Sequence, residues 1–215
     1  MAHAYPILLD LAGRLVVIVG GGKVAVRKAR GVIGGGADKV RCVAPEINSE
    51  MPSQVERIVG PFEPSHLDGA GLAFAATNSP EVNTAVVRAS RERGILVNRA
   101  DADEEDGGDF TVPAVWRSGS VVLSVSAGSP ALSAALRDEV QNITGLGKYL
   151  DMAEVLRALR PRLREMASLS TDQHTQAMRD LVTQPALDVL AKDGADALWR
   201  WLVDRFPELK GEKTP

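Results

Sequence analysis

The chain has 215 residues, 45% of them hydrophobic, and a formal net charge of −3 at pH 7. That near-balance argues against nucleic acid as a bulk polyanionic partner, and a single cysteine, Cys42, rules out an intramolecular disulfide. The three histidines, His3, His66 and His174, lie far apart without helical ligand spacing, which argues against a preformed zinc site and against a Cys/His or Ser/His/Asp nucleophile.

The opening stretch "MAHAYPILLDLAGR" lacks the charged start and long apolar core of a signal peptide. No apolar run approaches membrane-span length. The expectation is a soluble, cytoplasmic protein with no membrane partner. Leu15–Val19 is a short continuous apolar run, as in a strand covered on both faces. A helix is predicted over 23–33, with Val24, Ala25, Ala29, Val32 and Ile33 on one side, stopped by Gly34-Gly35-Gly36. Lys39–Ala44 reads as a second strand, closed by Pro45 and holding Cys42 as a buried thiol in a reducing compartment. Shorter strands follow over 54–59 and 71–76. Ser79-Pro80-Glu81 then combines a capping hydroxyl, a proline at the first helical position and an acid near the positive helix end. That helix is predicted to run to about Arg93, with Gly94 as terminator and a strand over 95–98. Such alternation implies a parallel sheet with helices on both faces, an α/β fold of the Rossmann type.

Residues 101–109, "DADEEDGGD", carry six acids in nine positions and read as an exposed loop. "FTVPAVW" and "SVVLSVS", joined by Arg117-Ser118-Gly119, read as a hairpin. Ser129-Pro130 opens a helix with Leu132, Ala135, Leu136 and Val140 on one face. No strand signal remains after Gly147. A long helix is predicted with Leu150, Ala153, Leu156, Leu159, Leu163 and Met166 on one face. Two shorter helices are predicted over 173–183 and 195–205, and a frayed tail, "KGEKTP".

The chemistry-bearing signal is Gly20-Gly21-Gly22-Lys23-Val24-Ala25, which fits G-x-G-x-x-A. Gly20 allows a sharp turn off the strand, Gly22 lets the backbone approach a pyrophosphate, and Ala25 permits close helix–sheet packing. The phosphates would meet unpaired N–H groups at the positive helix end. Such a motif alone is weak and also fits a plain structural turn; its place between a strand and a helix favours the dinucleotide. The acid that usually holds the ribose, about 20 residues on, is missing. The second strand ends "CVAPE", so Glu46 stands slightly late, and backbone groups near Ala44 and Pro45 are the alternative holders. No arginine follows that strand directly, which favours NAD over NADP.

Taken together, "PILLDLAGRLVVIVGGGKVAVRKARGVIGGGA", "VAPE", "LAFAATNSPEVN", "GILVNRAD" and "GDFTVPAVWRSGSVVLSVSAGSPALSAALRDEV" occur in this order. Over residues 5–145 the chain resembles the precorrin-2 dehydrogenases of siroheme synthesis, a group that includes bifunctional sirohydrochlorin ferrochelatases and the N-terminal part of siroheme synthases. The resemblance implies NAD⁺-dependent oxidation of precorrin-2 to sirohydrochlorin, feeding siroheme or cobalamin. It also implies a homodimer and three parts: an NAD-binding domain over 1–110, a dimerisation segment over 111–146 and a helical C-terminal module over 147–215. Added ferrochelatase activity is one alternative, and a non-catalytic NAD-binding sensor is another.

An aspartate just after the "VN" strand is the family's candidate base, and Asp101 takes that place in Val97-Asn98-Arg99-Ala100-Asp101, with Asp103 as the fallback. Its position at the carboxyl end of a parallel strand suits a ligand site. The cofactor set is Gly20, Gly21, Gly22, Lys23, Val24, Ala25, Ala44, Pro45, Thr77 and Asn98. Asn78, Asn83 and Asn98 read either as cofactor or substrate contacts or as turn chemistry. The substrate carries eight carboxylates, so Arg99, Arg117 and Arg137, each beside a family block, are candidates to meet it. Arg27 and Lys28 are expected to face solvent. The family's "STGGxSP" block departs here to Ser124-Val125-Ser126-Ala127-Gly128-Ser129-Pro130, which removes a hydroxyl at Val125. Ser129 remains, either as a substrate contact or as a helix N-cap.

Overall fold

The computed structural model describes residues 5–101, 108–143, 145–166 and 168–210. The chain divides into two compact units, Met1–Val112 and Pro113–Pro215.

In the first unit β1 (Leu15–Val19), β2 (Lys39–Ala44), β3 (Glu56–Val59), β4 (Ala70–Ala75) and β5 (Leu96–Arg99) form one parallel sheet in the order β3-β2-β1-β4-β5. β1 is central, and its all-apolar run follows from being covered on both sides. Val16 and Ile18 point to one face with Ala25, Val26, Ala29 and Val32 of α1 (Lys23–Gly34). Val17 and Val19 point to the other face with Val86, Val87 and Ala89 of α2 (Pro80–Glu92). Each such fully buried Val or Ile contributes roughly 1.5–3 kcal/mol relative to exposure. Cys42 is fully buried, and loss of hydration pushes its thiol up to about 11 against the opposing charge of Arg57.

One expectation in this unit is corrected, and one acid of the exposed loop has a further part. Val24 is 37% exposed and Val26 takes its place in the core beside Ala25 and Ala29. Asp109 is not a merely solvated acid. Its carboxylate accepts the Val97 N–H at 3.0 Å and pairs with Arg91 at 3.1 Å, lining the outer edge of β5. The rest of the predicted acidic loop, 102–107, lies outside the described residues, and so do Asp103, His3 and most of the predicted tail.

The second unit holds a hairpin of β6 (Ala114–Ser118) and β7 (Val121–Val125), then α3 (Pro130–Gln141), α4 (Leu146–Glu165), α5 (Thr171–Asp180), α6 (Gln184–Asp193) and α7 (Ala195–Arg205). The hairpin turn is Gly119-Ser120, not Arg117-Ser118-Gly119, since Arg117 and Ser118 pair with Val122 and Val121 inside the ladder. Glu154 of α4 accepts the Ser120 N–H at 2.9 Å and fixes the turn. Met152, Leu159 and Leu163 of α4 pack with Leu181, Leu187, Leu198, Trp199 and Leu202. α6 is the helix missing from the prediction; its apolar set, Ala186, Leu187, Val189 and Leu190, is short and opens on Gln184-Pro185, which reads as a breaker. The predicted apolar face of α3 is uncovered, with Leu132 50% and Leu136 42% exposed.

Candidate active site

The sheet order reverses direction between β1 and β4, so the crevice beyond their carboxyl ends is where this architecture receives ligands. The glycine turn leads from β1 into that crevice, and its three glycines differ in what surrounds them. Gly20 has φ +125° and hands its N–H to the Val43 carbonyl at 2.9 Å. A Cβ there would strike the Ala76 carbonyl. At Gly21 a Cβ would strike the Glu46 carbonyl, while the Gly21 carbonyl takes the Asn48 N–H at 2.9 Å. Gly22 has ordinary extended backbone, and a Cβ there would meet nothing within 4 Å. No protein atom demands glycine at that position, so the space is left for what binds. The helix behind it starts with no side-chain cap and no acid in its first turn, leaving its first N–H groups to an anion. These residues fit a dinucleotide pyrophosphate.

Around the turn, Lys23 and Val24 begin α1 on its outer side, and Ala25 is fully buried against the sheet. Ala44 is buried and its carbonyl accepts the Gly60 N–H at 3.0 Å. Pro45 and Glu46 are exposed directly after β2, with the Glu46 main chain against Gly21. Lys28 does not face solvent freely. Its Nζ lies 5.4 Å from the Phe74 ring centroid, and burial, helped by the Arg27 charge, lowers its ammonium to about 8.

A hydrogen-bonded group lies beside the crevice at the carboxyl ends of β4 and β5. Thr77 follows β4; its N–H and hydroxyl both donate to the Asn83 side-chain carbonyl, at 3.1 and 2.8 Å, and the Asn83 amide returns a bond to the Thr77 carbonyl at 3.1 Å. Asn83 is fully buried in α2, so its alternatives at the sequence level resolve to holding the strand–helix turn. Asn78 is exposed. Asn98 is 5% exposed; its amide donates to the Phe110 carbonyl at 2.8 Å, and its own carbonyl oxygen is buried without a partner among the described residues.

Asp101 stands just past β5. Arg99 holds its two carboxylate oxygens through Nε at 2.8 Å and Nη2 at 3.3 Å. Burial would raise the Asp101 carboxyl, but hydrogen bonds from Arg99, Asn83 and its own backbone, together with the Arg99 charge, outweigh this and leave it below the ordinary aspartate range. It is therefore ionised and able to accept a proton at neutral pH, at lowered basicity.

The remaining predicted residues belong to the second unit. Arg117 is exposed on β6. Ser129 caps α3, its Oγ accepting the Leu132 N–H at 3.1 Å. Arg137 pairs with the adjacent Asp138. Lys28 carries no local sequence signal; Arg99 and Asp101 were singled out from the sequence, but their pairing on the start of α2 was not.

Sheet order, switch-point glycine turn and uncapped helix define a dinucleotide-binding α/β protein. Residues 7–114 match the family described as "Putative NAD(P)-binding", and the chain belongs to that family. It is 29% identical over 213 residues to siroheme synthase 2 of Aeromonas hydrophila, covering 96% of this chain and 44% of that protein. It is 35% identical over 162 residues to the siroheme synthase of Photobacterium profundum, covering 71% of this chain and 34% of that protein. The chain thus spans less than half the length of these relatives. The solved structure of SirC, precorrin-2 dehydrogenase, shares the fold with a TM-score of 0.73 at 22% identity, over 94% of this chain and 100% of that one. Among the described residues no helix is long and apolar enough to cross a membrane.

Proposed function

We propose that this chain oxidises precorrin-2 to sirohydrochlorin with NAD⁺, in the synthesis of siroheme. The observation that carries the proposal is a carboxylate, Asp101, just past the carboxyl end of β5, held by Arg99 against the start of α2. The names of the relatives and of the structural neighbour supply the substrate class. The reaction removes two electrons and two hydrogens: precorrin-2 and NAD⁺ give sirohydrochlorin, NADH and a proton. NAD⁺, when bound, supplies the hydride acceptor. The glycine turn from Gly20 to Ala25 holds the pyrophosphate, with Ala44, Pro45, Thr77 and Asn98 completing the cofactor contacts. Asp101 accepts the proton. No arginine directly follows β2, where Pro45 and then Glu46 stand, in keeping with NAD rather than NADP. The protein works in the cytoplasm as a homodimer; the uncovered Leu132 and Leu136 on α3 support a second copy as the covering surface.

The test is anaerobic turnover of precorrin-2 with NAD⁺, following NADH absorbance and the sirohydrochlorin spectrum together. Asp101→Asn is expected to lower kcat by roughly 10²–10⁴-fold, the range for a general base, with NAD⁺ affinity unchanged within about twofold. Measurable NAD⁺ binding without any turnover by the unmodified protein would overturn the enzyme reading.

A further inference from the structure

A guanidinium has five N–H donors in a rigid fork, and the placement of those donors on Arg99 argues against a free arm for substrate. Nε and Nη2 grip both oxygens of Asp101 at 2.8 and 3.3 Å. Nη1 donates to Thr84 Oγ1 at 3.1 Å, and Nη2 also reaches the Pro80 carbonyl at 3.3 Å. Pro80 and Thr84 both belong to the beginning of α2, so the same plane that grips the carboxylate is pinned to the helix. The Arg99 side chain is only 14% exposed. From within α2 the buried Asn83 holds Thr77, its side-chain carbonyl accepting from Thr77 and its amide donating back to the Thr77 carbonyl. Thr77 follows the Ala76 carbonyl that excludes a side chain from Gly20. Asp101 is thus tethered through Arg99 to the helix that also braces the cofactor turn.

We infer that Arg99 is a positioning residue: it pins the Asp101 carboxylate across the start of α2, beside the β1–β4 crevice. This rests on the reading of Asp101 as the base. A base works only within hydrogen-bond reach of its proton, and an unclamped aspartate rotates about two side-chain bonds. A bidentate fork removes both freedoms, at the cost of some basicity. Among the described residues Arg99 is the charged group acting on Asp101; Asn83 and the Asp101 backbone act as neutral donors. Removing Arg99 leaves burial, which raises the carboxyl, opposed only by those neutral bonds.

The experiment is Arg99→Met, read three ways. Carboxyl ¹³C titration of labelled Asp101, in protein without substrate, is expected to move up by at least about one pH unit, as loss of an adjacent cation dictates. The acid limb of the kcat/KM profile should move up with it. At the plateau kcat should fall at least about tenfold, the penalty of a misplaced reacting group, with KM for precorrin-2 changed less than about twofold. Arg99→Lys, which keeps the charge and loses the fork, is expected to move the titration less yet still depress kcat. A raised KM with unchanged kcat and a stationary Asp101 titration would overturn the inference and make Arg99 a substrate contact. Should Arg99→Met not fold, Thr84→Val, which removes one anchor of the guanidinium, is expected to lower kcat without changing NAD⁺ affinity; full activity there counts against the clamp. The titration needs no turnover, so full activity of Asp101→Asn would sink the base reading while the titration still decides the Arg99–Asp101 clamp.

Discussion

Gly20, Gly21 and Gly22 are adjacent, yet only the first two are demanded by the protein's own atoms. Gly20 combines positive φ with the Ala76 carbonyl, and Gly21 lies under the Glu46 carbonyl, whereas Gly22 faces open space. Stability and binding should therefore separate along the turn. Gly20→Ala is expected to cost about 3 kcal/mol or more, from a strained backbone plus an overlap that neither strand can relieve. Gly22→Ala is expected to stay within about 1 kcal/mol of the parent, the range for a glycine lost from an N-cap. It should nonetheless weaken NAD⁺ at least about tenfold, or about 1.4 kcal/mol. Urea melts paired with calorimetric NAD⁺ titration read both quantities; an undiminished affinity in Gly22→Ala would remove the pyrophosphate from that position. The pattern G-x-G-x-x-A and the separate roles of Gly20, Gly22 and Ala25 were legible from spacing, but the need for glycine at Gly21 was not, because it depends on the Glu46 carbonyl beyond the end of another strand.

Elements with local punctuation were legible closely. The Ser79-Pro80-Glu81 start was predicted as a cap, and Ser79 Oγ accepts the Val82 N–H at 3.2 Å. Ser79→Ala is expected to lose about 1 kcal/mol in a urea melt; an unchanged midpoint and slope would mean that the bond contributes nothing there. β1 and β2 were predicted to their terminal residues, since continuous apolar runs bounded by glycine or proline leave little choice of end. α6 was missed because ten residues opening on Gln184-Pro185 carry too short an apolar face to stand out. On α4 the buried Met152 was passed over for leucines at helical spacing, since periodicity gives a face and not the partners that cover it. On α3 the periodicity was read correctly as an apolar face, but its burial within this chain does not follow, because amphipathicity does not name the covering surface.

At the scale of the whole molecule that exposed face makes its own prediction. Leu132 and Leu136 lie one helical turn apart and are half exposed, and a second copy of the chain is the proposed cover. Leu132→Glu combined with Leu136→Glu is expected to shift sedimentation from dimer to monomer, raising the dimer dissociation constant by at least about a hundredfold, as two charges buried without partners would. A monomeric parent protein, or a double variant as dimeric as the parent, would place the interface elsewhere.

The amino-acid sequence by itself determined the strand–helix alternation, the glycine turn, the helix caps of α2 and α3 and the parallel sheet, because each depends on residues within a few positions of one another or on a period of two or 3.6. Only the tertiary structure decided that β1 lies between β2 and β4, that Asp109 braces β5, that Lys28 turns toward Phe74, and that Arg99 grips Asp101 on the start of α2. Those outcomes depend on which distant segments become neighbours, and a charged residue carries no periodic mark of the partner that will meet it.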